Sequence, residues 1–536
     1  MGNDDFDVVI VGAGFAGIYL LHRLRALGLS VRVIEAGADV GGTWFWNRYP
    51  GLRCDVESMT YSYSFDDALQ KEWTWTHRYA AQPEILRYLN HVVDRHDLRR
   101  DMSFNSRVVR AAFDETTRRW SIETETGRRY RARFCVMATG CLSVPILPAI
   151  ESLPEFRGAW YHTADWPNEG VDFSGKRVAV IVTGSSGIQV IPVIAEQAAH
   201  LTVFQRTPNF SIPAHNGPLS REAIAAWKAD YPALRDRNRH NQDGNIYAPP
   251  TQSALEVGDA EREAEFERRW REGSFSFLST FTDIVSSRQA NAYAADFVRR
   301  KIRATVKDPK VADRLSPTGY PFGTKRLCVD TNYYETFNRP NVDLVDLGES
   351  PLERATATGL RAGGRDYDFD IIVFATGYDA VTGALGRIDI RGRAGRALAE
   401  KWKNGPRTYL GVAVAGFPNL FTVTGPGSPA VFSNMIVSIE QHVEWIAGCI
   451  AWLDARDVAT IEAREEAEDN WVLEVKAAAD GTLMLEANSW YVGANVPGKP
   501  RMLMCYFGGV GKYRARCDAA AAAGYDGFIL GRAGPQ

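Results

Sequence analysis

The chain has 536 residues, 45% of them hydrophobic and 24% charged, with a formal net charge of -3. That length suits two or three compact units that each bury a real core, and the composition is that of an ordinary globular protein. The near-neutral balance gives no support to nucleic acid or an anionic membrane, so neither is expected as a partner.

Residues 7–11 read as a short apolar strand that runs straight into Gly12-Ala13-Gly14-Phe15-Ala16-Gly17. Apolar residues then recur at helical spacing over 18–27, Gly28 stops the helix, and 31–34 form a second strand closing on Glu35. Gly12, Gly14 and Gly17 permit a tight turn and close approach of backbone to a pyrophosphate, which sits on the positive end of the helix. Glu35, 23 residues beyond Gly12, offers a carboxylate to a ribose. The order strand, glycines, helix, strand and acid is what gives the motif its specificity.

Farther on, Gly41-Gly42-Thr43-Trp44-Phe45-Trp46-Asn47-Arg48-Tyr49-Pro50-Gly51 resembles the second glycine pair and aromatic run of flavoproteins that bind two dinucleotides. Residues 136–140 and 373–377 are strands ending in Ala-Thr-Gly, as in that superfamily. FAD is therefore expected at the first site. Between the two nucleotide signatures stands Phe156-Arg157-Gly158-Ala159-Trp160-Tyr161-His162-Thr163-Ala164-Asp165-Trp166-Pro167.

A second unit follows, with a strand at 176–181, a fingerprint Val182-Thr183-Gly184-Ser185-Ser186-Gly187, a helix at 188–199 and a strand at 201–204. No acid closes it. Arg206 and Thr207 stand there instead, and a guanidinium with a hydroxyl accommodates a 2′-phosphate, which favours NADPH over NADH. Val182 occupies the first glycine position. With ordinary β dihedrals the cost is small; at positive φ, strain of about 1–3 kcal/mol weakens NADPH binding.

Residues 214–322 are rich in charge and helical spacing, as in Tyr293, Ala294, Phe297, Val298 and Ile302, and read as a helical insertion. The long uncharged stretch 408–439 is broken by Pro418, Pro426 and Pro429, so a strand, loop and helix start are expected there, not a membrane span. A further helix is read over 436–453. The seven cysteines, odd in number and without a C-x-x-C pair, favour a reducing, cytoplasmic setting with no disulfide or zinc site. No cleavable leader is expected, since acidic residues follow Met1 and the apolar run at 8–11 is short.

Phe156, Gly158, His162, Trp166 and Pro167 match F-x-G-x-x-x-H-x-x-x-W-P, and from Asp7 to about Leu530 the chain resembles the type I Baeyer–Villiger monooxygenases, nearest their phenylacetone- and steroid-oxidising members. The resemblance implies an α/β fold of two interleaved Rossmann-like dinucleotide-binding domains. FAD would take 1–142 and 380–536, NADPH 143–213 and 323–379, with 214–322 a helical subdomain inserted in the latter. It implies that NADPH reduces FAD and that reduced flavin and O2 form an anionic C4a-peroxide that converts aryl, cyclic or steroid-like ketones to esters or lactones. Sulfides are expected as side substrates, and no oligomer is required. Arg326 matches the active-site cation and Asp55 the carboxylate that positions it. Thr43, Trp44, Trp46, Asp55, Tyr61, Val108 and Met435 join the glycines and Glu35 around FAD. Thr183, Gly184, Ser185, Ser186, Gly187, Gln189, Arg206, Thr207, Lys325, Arg326 and Trp490, the last on a mobile loop, serve NADPH. Val56, Leu142, Pro429, Ala430, Val431, Phe432 and Met435 would line the substrate pocket. Rival readings are an N- or S-oxygenating flavin monooxygenase, or a flavin binder whose NADPH catalysis Val182 impairs.

Overall fold

The computed structural model describes residues 4–532, so part of the leader reading, which turns on residues 1–3, lies outside the described residues. β1 (Asp5–Val11) feeds α1 (Phe15–Ala26), and β2 (Val31–Ile34) lies parallel to β1 with Val8 opposite Val31 and Val11 opposite Ile34. Val8 and Ile10 face α1 while Val9 and Val11 face a second core. With both faces covered, the strand reads as an unbroken apolar run. The helix starts three residues earlier than its apolar spacing suggested, because Phe15 belongs to its first turn. Gly28, at φ +80°, ends it as expected.

The same sheet extends through β3 (Met102–Ser103) on one edge and through a meander on the other, made of β4 (Val108–Asp114), β5 (Arg119–Thr124) and β6 (Arg129–Met137). The first half of β6 pairs antiparallel with β5, and the strand also runs parallel to β1. It therefore delivers Ala138-Thr139-Gly140 beside Gly12.

The second unit repeats this plan. β7 (Ala159–His162) and β8 (Arg177–Ile181) precede α2 (Ser185–Gln197), and β9 (His200–Gln205) lies parallel to β8. The chain then leaves for the helices α3 (Arg221–His240), α4 (Asp259–Glu272) and α5 (Arg288–Thr305). Ser211–Pro213 pairs parallel with Cys328–Asp330, so the excursion departs and rejoins at one point. Phe266, Phe277 and Phe297 form its aromatic centre, with ring centroids 5.3–5.5 Å apart. β10 (Val342–Asp346) and β11 (Ile371–Phe374) complete the second sheet, all parallel in the order β10-β9-β8-β11-β7. β12 (Asp389–Arg391) and β13 (Leu420–Thr422) then return to the first sheet, against β4 and β6. α6 (Met435–Asp454) packs on the face that α1 also covers. No helix among the described residues is long and apolar enough to cross a membrane.

Val182 adopts φ +78°, where its counterpart Gly12 has +108°. Of the two outcomes open from sequence, the strained one is realised, since a β-branched residue is disfavoured there by about 1–3 kcal/mol. Neighbouring bonds hold it: its N–H donates to the Phe204 carbonyl at 2.9 Å, and Ala375 donates to the Ile181 carbonyl at 3.1 Å. Its side chain packs half-buried against the cluster of Leu153, Phe156, Ala179 and Phe204. The turn is looser than its counterpart. A Cβ on Gly187 would sit 2.4 Å from the Val182 carbonyl oxygen, against 1.9 Å for Gly17 and the Gly12 carbonyl. Relief of this backbone strain should make Val182→Gly more stable than Val182→Ala by about 1 kcal/mol, although glycine is the smaller residue. Paired urea melts of the two variants measure the difference.

Candidate active site

Gly14 caps α1 without a side-chain acceptor, so the first amides of this 12-residue helix are left free to meet an anion. Facing it is Gly42, whose added Cβ would lie 2.9 Å from the Gly14 Cα; only bare backbone fits between the two glycine runs. Glu35 is buried, with one carboxylate oxygen accepting the Ala13 N–H and the other the Gly37 N–H, each at 2.7 Å. Its remaining lone pairs suit ribose hydroxyls. Thr43, Trp44 and Trp46 share one short turn; Trp44 is buried with its indole N–H on the Tyr61 hydroxyl at 3.3 Å, whereas Trp46 is partly exposed. Tyr61 meets Phe15 edge-on at 5.4 Å. Val108 opens β4 on the sheet face opposite α1, beside Val9, Val11 and Ile34. These features fit a dinucleotide such as FAD.

The second cradle has Gly184 at the α2 N-cap, again without a side-chain acceptor, and open space where its Cβ would stand. The Thr183 hydroxyl donates to the Thr207 carbonyl at 3.3 Å, tying the fingerprint to the end of β9, and Ser185 Oγ lies 3.5 Å from Cys328 Sγ. Arg206 is exposed and Lys325 half-buried. Burial, and then the charge of Arg206, lower the Lys325 pKa. Among the described residues neither cation has an ion-pair partner, and Lys325 Nζ sits 4.3 Å from the Tyr320 ring centroid. Two cations kept close without an acid fit a phosphate.

Gln189 on α2 joins the two halves. It accepts from the Tyr49 hydroxyl at 2.9 Å and donates to the Arg53 carbonyl at 3.1 Å. Gly51, at φ +84°, lets this loop press on α2, since a Cβ there would stand 2.4 Å from the Gln189 carbonyl oxygen. Sequence reading assigned Gln189 to a nucleotide and passed over Tyr49, whose partner lies 140 positions away.

At the end of this loop Asp55 receives Arg326. Nη2 lies 3.0 Å from both carboxylate oxygens and Nε 3.3 Å from Oδ2, while Nη1 donates to the Val431 carbonyl at 2.8 Å. The guanidinium lies 4.4 Å from the Phe275 ring, a contact from the helical excursion that sequence gave no hint of. Burial opposes its charge, but Asp55, followed by Tyr491, more than offsets that and raises the pKa. The cation therefore persists at any working pH. Both side chains keep some exposure, 21% for Arg326 and 24% for Asp55, so the pair borders a space that a reactant can enter.

Of the expected pocket residues, Val56 follows Asp55 in the chain, and Val431, whose carbonyl accepts from Arg326, shares one short turn with Pro429, Ala430 and Phe432. Val56, Pro429, Ala430 and Val431 are buried, and Leu142, Phe432 and Met435 half-buried. Phe432, Tyr491 and Phe507 meet edge to face, with centroids 4.8–6.4 Å apart. Trp490 is half-buried against Tyr491 at 4.3 Å. Its loop is anchored by Lys499, which donates to Asp379 at 2.6 Å, and by Asn495, which donates to the Tyr378 carbonyl at 2.7 Å. His162 stays out of this space. Its Nδ1 accepts the Ala164 N–H at 3.0 Å, so the proton is on Nε2, which faces Thr376 Oγ1 at 3.1 Å.

Two nucleotide cradles meeting at a buried-edge arginine define a class, the two-dinucleotide flavoproteins. Residues 9–221 match the family model described as pyridine nucleotide-disulphide oxidoreductase. Over 98% of its length the chain is 43% identical to a Baeyer–Villiger monooxygenase of Pseudooceanicola batsensis, covering 97% of it. It is likewise 43% identical, over 98% of this chain and 97% of the relative, to the phenazine N-monooxygenase of Lysobacter antibioticus. Among solved structures, an oxidised steroid monooxygenase bound to NADP superposes with a TM-score of 0.95 at 50% identity, covering 99% of this chain and all of that one. The chain belongs to the Baeyer–Villiger monooxygenase family.

A 2′-phosphate seated at Lys325 would bind with a pH dependence set by the lowered pKa of that lysine. A phosphate favours the ammonium form, so affinity is full below the Lys325 pKa of the free protein and falls as pH rises through it. NADP+ dissociation constants measured from about pH 7 to 10 should weaken toward the alkaline end, with Lys325→Met flattening the slope and NAD+, which lacks that phosphate, showing none.

Proposed function

We propose that this protein is an NADPH-dependent Baeyer–Villiger monooxygenase that holds FAD in the first cradle and NADPH in the second, converting aryl, cyclic or steroid-like ketones to esters or lactones with O2. Family membership supports the class of reaction, and the observation that carries the reading to this chain is the Asp55-held Arg326 at the junction of the cradles. FAD, when bound and reduced, supplies the activated oxygen. Arg326 would set a permanent positive charge beside the oxygen on which negative charge gathers; a unit charge about 4 Å away at an effective dielectric near 20 is worth about 4 kcal/mol, nearly three decades of rate. Asp55 orients the fork. Arg206, Thr207 and Lys325 seat the 2′-phosphate, and Trp490 covers the nucleotide. Val431, Phe432 and their neighbours exclude water and shape the ketone site.

The division of labour follows the chain's path. Residues 1–142 and 380–536 form the FAD domain, 143–213 and 323–379 the NADPH domain, and 214–322 the helical subdomain. All seven cysteines are buried and free, which suits a cytoplasmic setting.

A second reading has a specific support in the phenazine N-monooxygenase, as similar to this chain as the Baeyer–Villiger relative. On this reading a ring nitrogen attacks the same oxygen donor through its lone pair, and sulfoxidation is a side activity of either.

Incubation of the FAD-loaded protein with NADPH, O2, a panel of aryl, cyclic and steroid ketones, thioanisole and phenazine should yield esters or lactones from the ketones as main products. N-oxide in their place selects the second reading. Arg326→Ala should still bleach the flavin with NADPH but lose ester formation by about a thousandfold.

A further inference from the structure

The helical excursion reaches the first cradle through one buried side chain. Arg235 lies in the second half of α3 and is 6% exposed. Its Nε donates to the Gln70 side-chain oxygen at 2.9 Å, Nη1 to the Thr60 carbonyl at 3.2 Å, and Nη2 to Ser62 Oγ at 2.8 Å and the Tyr63 carbonyl at 3.4 Å. Every one of these acceptors lies on the segment 60–70. The segment is gripped from other sides as well: Asn434 Nδ2 donates to the Thr60 carbonyl at 3.2 Å, the Ser64 N–H donates to Glu440 at 2.5 Å, and Arg239 donates to Ser64 Oγ at 2.8 Å.

Between these anchors stand Tyr61 and Tyr63. Tyr61 carries the indole of Trp44 on its hydroxyl and the edge of Phe15 on its ring. The Tyr63 hydroxyl donates to the Phe15 carbonyl at 2.6 Å. Phe15 is the first residue of α1, the helix whose open N-terminus forms the first cradle. A line of contacts thus runs from the guanidinium through two tyrosines to that N-terminus and to the Thr43–Trp46 turn.

We propose that Arg235 is a positioning residue for FAD, fixing segment 60–63 so that Tyr61 and Tyr63 hold the start of α1 and the Trp44 turn in binding geometry. The excursion, inserted by sequence among the NADPH-binding residues, thereby serves the FAD site. This rests on the proposed flavin function. Arginine is required because its planar fork spans acceptors from Gln70 to Tyr63 at once, and a lysine ammonium, a point charge on a flexible stem, cannot.

The test is FAD release from the purified holoenzyme, followed by recovery of free-flavin fluorescence, for the parent, Arg235→Lys, Arg235→Met and Arg237→Lys. Arg237 pairs with exposed Asp230 at 2.8 Å and serves as the control. Arg235→Lys should raise the FAD dissociation constant at least about tenfold, which is 1.4 kcal/mol. NADP+ affinity, measured with FAD in excess, should stay within about twofold of the parent, and Arg237→Lys should match the parent throughout. Excess FAD should restore ketone-dependent turnover of Arg235→Lys. The proposal is overturned if both Arg235 variants retain FAD as the parent does, or if FAD and NADP+ affinity fall together with loss of helical signal. If Arg235→Met does not fold, Arg235→Lys decides. A parent that takes up no flavin sinks the proposed function itself, a result separable from every variant outcome.

Discussion

The Asp55–Arg326 contact is the constraint around which the rest of the molecule is arranged. A guanidinium at the edge of a protein interior loses hydration, and a carboxylate with matched geometry offsets much of that cost. Here the two partners come from opposite halves, 271 positions apart in the chain. Asp55 closes a loop pressed on α2 through Gly51 and Gln189, and Arg326 stands just before the Cys328–Asp330 strand where the helical excursion rejoins the second unit. The pair can form only when both units are folded and docked. Its third contact, from Nη1 to the Val431 carbonyl, fixes the turn that bears Phe432. Charge placement and pocket shape are consequently set by one side chain.

The two cradles share a backbone plan but differ in charge. In the first, each Glu35 carboxylate oxygen accepts an amide, from Ala13 and from Gly37, which holds the turn in place before any ligand arrives. The second has no such acid; its turn is strained at Val182, and its far end holds two cations without a counter-ion among the described residues. Preorganised backbone favours a tightly kept cofactor, while unneutralised charge yields its full interaction only when a phosphate enters. The difference suits a resident group in the first site and an exchanging one in the second.

Much of this was legible from local signals. The glycine fingerprints, Glu35, Arg206 and the strand ends at 138–140 and 375–377 owe their meaning to spacing within one βαβ unit, and the strands and helices appear there with ends shifted by a few residues. The regions that sequence left open depend on distant partners. The dihedral of Val182 is held by its bond to the Phe204 carbonyl and by the Ala375 bond to the adjacent Ile181 carbonyl, partners distant in the chain. Phe275 under Arg326, Tyr49 on Gln189 and Arg235 over segment 60–70 join residues more than 50 positions apart, and nothing in their local context marks them. His162 illustrates the reverse case. It is prominent in the family motif, yet its ring is spent on Ala164 and Thr376 and buttresses the end of β7 against β11.

The same logic bears on the choice between carbon and nitrogen as the atom oxidised. An oxygen donor that attacks a carbonyl carbon acts as a nucleophile and is helped by remaining anionic, whereas one attacked by the lone pair of a ring nitrogen surrenders its outer oxygen as an electrophile and is helped by a proton on the oxygen left behind. A side chain that stays cationic whatever the pH stabilises the anion and supplies no proton. Tyr491 is a proton-bearing group beside Arg326, and burial raises its pKa, making it a poor acid. Asp55 is committed to the guanidinium through both oxygens. The electrostatics of this junction therefore favour the anionic form of the donor, and with it the carbonyl as target.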